Sequence, residues 1–168
     1  MIKILKFPIL LTLILCSPLF YAEGNHKIFN LGDFDLESGI TLPNAKLSYV
    51  THGKLNEEKN NLIVVPSAYL GDHHGFDFLI EQGKALDPDK YFIVATDMFQ
   101  NGLSSSPSNT APPFNGPNFP LISIRDNVNA GYKLVTEIFK VKKIKGVVGF
   151  SMGAQQAFQW GVSYPDFV

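Results

Sequence analysis

The stretch Val147-Val148-Gly149-Phe150-Ser151-Met152-Gly153-Ala154-Gln155-Gln156-Ala157 decides the fold. An apolar run enters a Gly-x-Ser-x-Gly turn, and an Ala/Gln-rich helical segment leaves it. So sharp a strand-to-helix turn forces its central residue, Ser151, into a strained backbone conformation. Glycine is required at 149 and 153 because a Cβ there would collide with the neighbouring strand or helix. In return the Ser151 hydroxyl stands at a helix N-terminus, where free N–H groups favour developing negative charge. This is the geometry of a nucleophile elbow.

Working back from the elbow, residues 147–150 read as a buried strand and residues 123–139 as an amphipathic helix, with Ile124, Val128, Leu134, Val135, Ile138 and Phe139 near one face. Ser123 is its expected N-cap, with Asp126 completing a capping box. Two more continuous apolar runs, Leu62-Ile63-Val64-Val65 and residues 91–97, read as strands buried on both faces of a parallel sheet. Residues 27–35 and 45–52 alternate loosely around a Ser38-Gly39 turn and predict two half-buried strands. A helix is expected over residues 76–86. Residues 98–120, dense in Asn, Gly, Ser and Pro, form a loop long enough to be either functional or disordered. Strands alternating with helical segments give an α/β, mostly parallel, doubly wound sheet. Ligands in such sheets bind at the carboxyl ends of the strands, where residues 66–75, residues 98–120 and the elbow converge.

The chain has 168 residues, 45% of them hydrophobic and 17% charged, which fits a globular domain with a real core. A net charge of −1 argues against a nucleic-acid partner. Lys3 and Lys6, the apolar stretch from Phe7 to Leu15 and the break at Cys16-Ser17-Pro18 read as an export signal over residues 1–22. Cleavage after Ala22 would give a periplasmic or secreted protein. The apolar stretch is too short and Pro-broken for a stable membrane span, and an uncleaved anchor is the alternative. Cys16 is the single cysteine, so a mature chain would have neither a disulfide nor a thiolate metal site. No cofactor or metal is expected.

Ser151 is the candidate nucleophile. An alcohol is weak at its own pKa and needs a base, usually a histidine steered by a carboxylate. In this architecture both follow the serine in sequence. Here only Asp166 follows it, and no histidine does. Upstream, His26 precedes the sheet and His52 reads as turn chemistry. His73 and His74 lie closer, in the loop of residues 66–75; one of them can line the pocket, with a solvated loop position the favoured reading. Asp97 ends a strand and is read as capping the next turn. Two N–H donors should face a tetrahedral oxygen: Met152, directly after the nucleophile, and the backbone of Tyr69 in the Ser67-Ala68-Tyr69-Leu70-Gly71-Asp72 loop. Phe158, Trp160 and Tyr164 read as helix packing.

From about Ser48 onward the chain resembles the α/β-hydrolase branch that includes homoserine O-acetyltransferases. The residues that carry the resemblance are Thr51-His52-Gly53-Lys54-Leu55-Asn56, the run from Gly83 to Phe92, Gly116-Pro117-Asn118-Phe119-Pro120, Ile124-Arg125-Asp126-Asn127-Val128 and Gly149 to Gln156. The resemblance implies an α/β-hydrolase fold, a Ser-Asp-His triad and an acyl-Ser151 intermediate, with oxyanion donors at Met152 and Tyr69. Its partners would be a small acyl ester or acyl-CoA and an alcohol acceptor or water. Gly-Phe-Ser-Met-Gly-Ala and Ser-Ala-Tyr-Leu-Gly-Asp depart from the acetyltransferases' usual Gly-Gly-Ser-Met-Gly-Gly and His-Ala-Leu-Thr-Gly-Asp, and look more like hydrolase-like relatives. Residues 23–168 then correspond to the N-terminal part of such a domain, truncated after the elbow helix. The alternative expectation is a catalytically inactive fragment lacking the triad Asp and His.

Overall fold

A computed structural model describes residues 26–168; the export signal read over residues 1–22, and Cys16 with it, lie outside the described residues. β1 (Lys27–Asp35) and β2 (Thr41–His52) form an antiparallel hairpin, closed by Leu36 N–H donating to the Ile40 carbonyl at 2.9 Å. β2 pairs antiparallel with β4 (Phe92–Thr96), which pairs parallel with β3 (Leu62–Pro66), which pairs parallel with β5 (Gly146–Val147). The sheet order is therefore β1-β2-β4-β3-β5. β3 and β4 are buried along their whole length, because each has chain packed on both faces.

The period of two along these strands sorts their side chains into two cores. Leu62, Val64 and Val94 face the core under the helices, with Val128, Leu134 and Trp160. Ile63, Val65, Ile93 and Ala95 face the opposite side, under Phe76 and Leu86. α1 (Ile124–Lys133) and α2 (Met152–Ser163) pack on each other and cover the first face. The capping box forms as expected: Asp126 N–H donates to Ser123 Oγ at 3.1 Å, and Ser123 N–H to Asp126 Oδ2 at 2.8 Å. No described helix is long and apolar enough to cross a membrane.

Three expectations are corrected. The helix of residues 76–86 is a single 3-10 turn, Asp77–Leu79, followed by turns. Asp87 takes the Gly83 N–H at 3.0 Å and Leu86 N–H reaches back to Leu79 O at 3.1 Å, so side-chain and long-range bonds replace the helical ladder. The helix of residues 123–139 is α-helical only to Lys133 and widens into a π turn over Leu134–Ile138, where Thr136 Oγ1 donates to the Tyr132 carbonyl at 2.7 Å. The strand of residues 147–150 is shorter and less buried than its composition predicts. β5 lies at the sheet edge, Val148 N–H bonds Val64 O at 2.9 Å, and Phe150 is 73% exposed.

Candidate active site

The elbow forms. Ser151 has φ 51° and ψ −123°, a conformation that L-residues avoid and that persists only where surroundings impose it. Those surroundings are backbone against backbone. A Cβ on Gly149 would run into the Gly153 carbonyl, and one on Gly153 would lie 2.6 Å from the Pro66 carbonyl oxygen of β3. Either addition would prise α2 from the sheet.

A serine before a helix ordinarily caps it with its hydroxyl. Ser151 does not: its side chain makes no capping bond, and the residue is exposed. The first turn is closed by main chain instead, with Gly153 N–H on Phe150 O at 2.8 Å and Ala154 N–H on Ser151 O at 3.0 Å. The hydroxyl is left for other chemistry, and the Met152 N–H takes no part in that turn.

Met152 and Gln155 face a cavity of about 750 Å³ whose other walls include Tyr69, Leu70, Met98 and Asn127. It opens where the loops after β3 and β4 meet the elbow, as the strand pattern predicts. Asp72 is its one carboxylate, and no Lys, Arg or His lines it among the described residues. Tyr69 sits at the tip of the loop after β3, in a turn closed by Gly71 N–H on Ala68 O at 3.0 Å. Its N–H is not used by that turn, and its side chain is 69% exposed.

Asp97 is more than a turn cap. Wholly buried at the end of β4, its carboxylate accepts Ser48 Oγ at 2.6 Å, His73 N–H at 2.8 Å, His73 Nδ1 at 2.8 Å and Asn101 Nδ2 at 3.1 Å. One carboxylate thus holds β2 and the loops after β3 and β4. The expectation of a solvated histidine fails for His73, which is 4% exposed: with Nδ1–H donating to Asp97, its buried Nε2 has no partner. The ring packs against that of His74, tilted by 46° with centroids 4.3 Å apart, and lies 6.0 Å from that of His26. His74 is half-buried and its Nδ1 meets Asp77 Oδ2 at 2.7 Å.

His52 ends β2 rather than sitting in a turn, and its Nε2 is buried without a partner. Burial pushes its pKa below the ordinary histidine value; Asp77 opposes that shift, while His74 and His73 add to it. Of the three aromatics read as helix packing, Trp160 is core and Tyr164 stacks on Tyr132 at 3.9 Å. Phe158 does not pack: it is 77% exposed.

The long loop of residues 98–120 is ordered near the site by its serines. Ser104 Oγ accepts the Ser48 N–H and donates to the Asp97 carbonyl, and Ser105 Oγ accepts the Lys46 N–H at 2.9 Å. Asn127 of α1 accepts the Phe99 N–H at 2.7 Å. Sequence reasoning singled out none of these residues for the site. Their one signal is a buried-type position occupied by a small polar side chain, which becomes informative only once the strand order is known.

A strained serine on a glycine-wedged strand-to-helix turn, next to the Met152 that lines a cavity at the carboxyl ends of parallel strands, defines an α/β protein with a nucleophile-elbow geometry; Ser151 itself is not among the residues lining that cavity. Residues 61–168 match the sequence profile of the alpha/beta hydrolase fold, and the chain belongs to that family. It is 44% identical over 153 residues to an ethyl acetate hydrolase of Pseudomonas veronii, covering 89% of this chain and 44% of that protein. A homoserine O-acetyltransferase of Methanosalsum zhilinae is 39% identical, over 81% of this chain and 31% of that one. The solved structure of the acetyl esterase MekB superposes with a TM-score of 0.84 at 44% identity, covering 86% of this chain and 42% of that one. The chain thus spans less than half the length of these relatives.

Proposed function

We propose that this chain carries the nucleophile and oxyanion-binding amides of a serine ester hydrolase acting on small acyl esters. One observation carries the reading: Ser151 is held in a strained conformation with its hydroxyl unused by the helix it precedes. Ser151 Oγ attacks the ester carbonyl carbon as its proton passes to a general base. The carbonyl oxygen becomes an oxyanion facing the N–H groups of Met152 and Tyr69. Collapse breaks the carbon–oxygen bond to the alcohol, which leaves with a proton, and Ser151 keeps the acyl group. Water then resolves the acyl-Ser151 ester and restores the hydroxyl. Acyl transfer to an alcohol differs only in that last step.

Similarity to an ethyl acetate hydrolase and an acetyl esterase supports a short acyl group. We also propose that residues 1–22 direct export, which N-terminal sequencing of the natural protein from periplasmic or secreted fractions would test. For the reaction, the test is turnover of ethyl acetate and p-nitrophenyl acetate by the natural protein and its Ser151→Ala variant. Loss of turnover with an unchanged fold is expected. Equal rates for the two proteins would overturn the assignment.

A further inference from the structure

Helix α2 is not only the platform of the elbow. One turn past Met152, on the same face, its Gln156 is 2% exposed, and the side-chain Nε2 donates to the Ser67 carbonyl at 3.0 Å. Ser67 is itself buried and held at every polar group: its N–H donates to the Thr96 carbonyl at 2.9 Å, and its Oγ accepts the Met98 N–H at 3.0 Å. β4, the loop after it and α2 thus converge on one residue, two positions before Tyr69.

We infer that Gln156 is a positioning residue of the reaction, tying the loop after β3 to α2 so that the Met152 and Tyr69 amides keep a fixed separation. The inference rests on Ser151 being the nucleophile. Its physical basis is that two amides stabilise an oxyanion only if both are already aimed at it. Met152 moves with α2, whereas Tyr69 moves with the loop after β3. The described side-chain hydrogen bond between those two elements is the one from Gln156 to Ser67. Without it, the loop tip at Tyr69 and Leu70, already exposed, gains freedom relative to the elbow. Substrate binding in the cavity depends less on that separation than does the transition state. The effect therefore belongs in kcat rather than KM.

The test compares Gln156→Ala and Gln156→Glu with the parent in the natural protein, using p-nitrophenyl acetate with steady-state and burst kinetics. Gln156→Ala should lower kcat and the burst rate by roughly 10- to 100-fold, with KM within about threefold. Gln156→Glu is informative through pH. An ionised carboxylate cannot donate to the Ser67 carbonyl, whereas a carboxylic acid can. Its kcat relative to the parent should therefore rise as pH falls, while the ratio for Gln156→Ala stays flat. If Gln156→Ala does not fold, the pH dependence of Gln156→Glu remains decisive, and a flat ratio there overturns the inference. Loss of activity in Ser151→Ala, together with kcat within twofold of the parent in both Gln156 variants, would refute the positioning role alone. Retained activity in Ser151→Ala would instead remove the reading on which it rests.

Discussion

Gly153→Ala adds one methyl group where α2 meets β3. The new Cβ would lie 2.6 Å from the Pro66 carbonyl oxygen, whereas ordinary contact begins at 3.4 Å. The start of the helix must then retreat by roughly 0.8 Å, against backbone that cannot rotate away. Overpacking of this kind costs about 1–3 kcal/mol. Retreat also stretches the 3.0 Å bond from Gln156 to Ser67, worth about 1 kcal/mol. Replacing glycine in a helix returns at most ~1 kcal/mol. The net loss, about 1–3 kcal/mol, should lower Tm by roughly 3–10 °C in a domain of this size. Gly161→Ala is the internal control, because the same helix has nothing within 4 Å of a Cβ there. It should raise stability by up to ~1 kcal/mol. Thermal unfolding followed by circular dichroism, paired with turnover of p-nitrophenyl acetate, reads both variants. Gly153→Ala melting at or above the parent would refute the wedge argument, whatever happened to activity.

Ser151→Gly removes the hydroxyl and also the strain of a non-glycine residue at φ 51°. Hydrolysis should vanish while stability rises by roughly 1 kcal/mol, the net of released strain and glycine's greater unfolded freedom; a lower Tm would contradict this. Asp97→Asn removes the charge that four hydrogen bonds share, and its NH₂ fits only where the Ser48 hydroxyl and the His73 ring nitrogen turn from donor to acceptor, which should cost about 1–3 kcal/mol in urea unfolding. Amide exchange should quicken at His73 and around Ser104, and an unchanged midpoint would sink the hub assignment. His52 has its folded pKa lowered by burial, so below about pH 6.5 the unfolded chain binds a proton that the native one resists. Stability should therefore fall as pH drops from 7.5 to 5.5, and His52→Asn should flatten that slope. Parallel slopes for the two proteins would show that His52 does not carry it.

The elbow was legible in the sequence because its determinants are neighbours along the chain. Gly149 and Gly153 are needed by the turn's own sterics, and Ser151 is strained by its position between them. The same holds for the continuous apolar runs of β3 and β4 and for the Ser123–Asp126 box, each a local pattern with a local cause. Tertiary structure alone decided the rest. Residues 76–86 form turns in place of a helix, with Asp87 accepting the Gly83 N–H and the Leu79 carbonyl the Leu86 N–H, and the strand entering the elbow pairs with β3 only over Gly146 and Val147. The partnerships of His73 with Asp97 and of Gln156 with Ser67 join residues 24 and 89 positions apart. Nothing in the composition near either residue names its partner. That partner is set by which loops the order β1-β2-β4-β3-β5 brings side by side, since a buried polar group must bond whatever the fold places within reach.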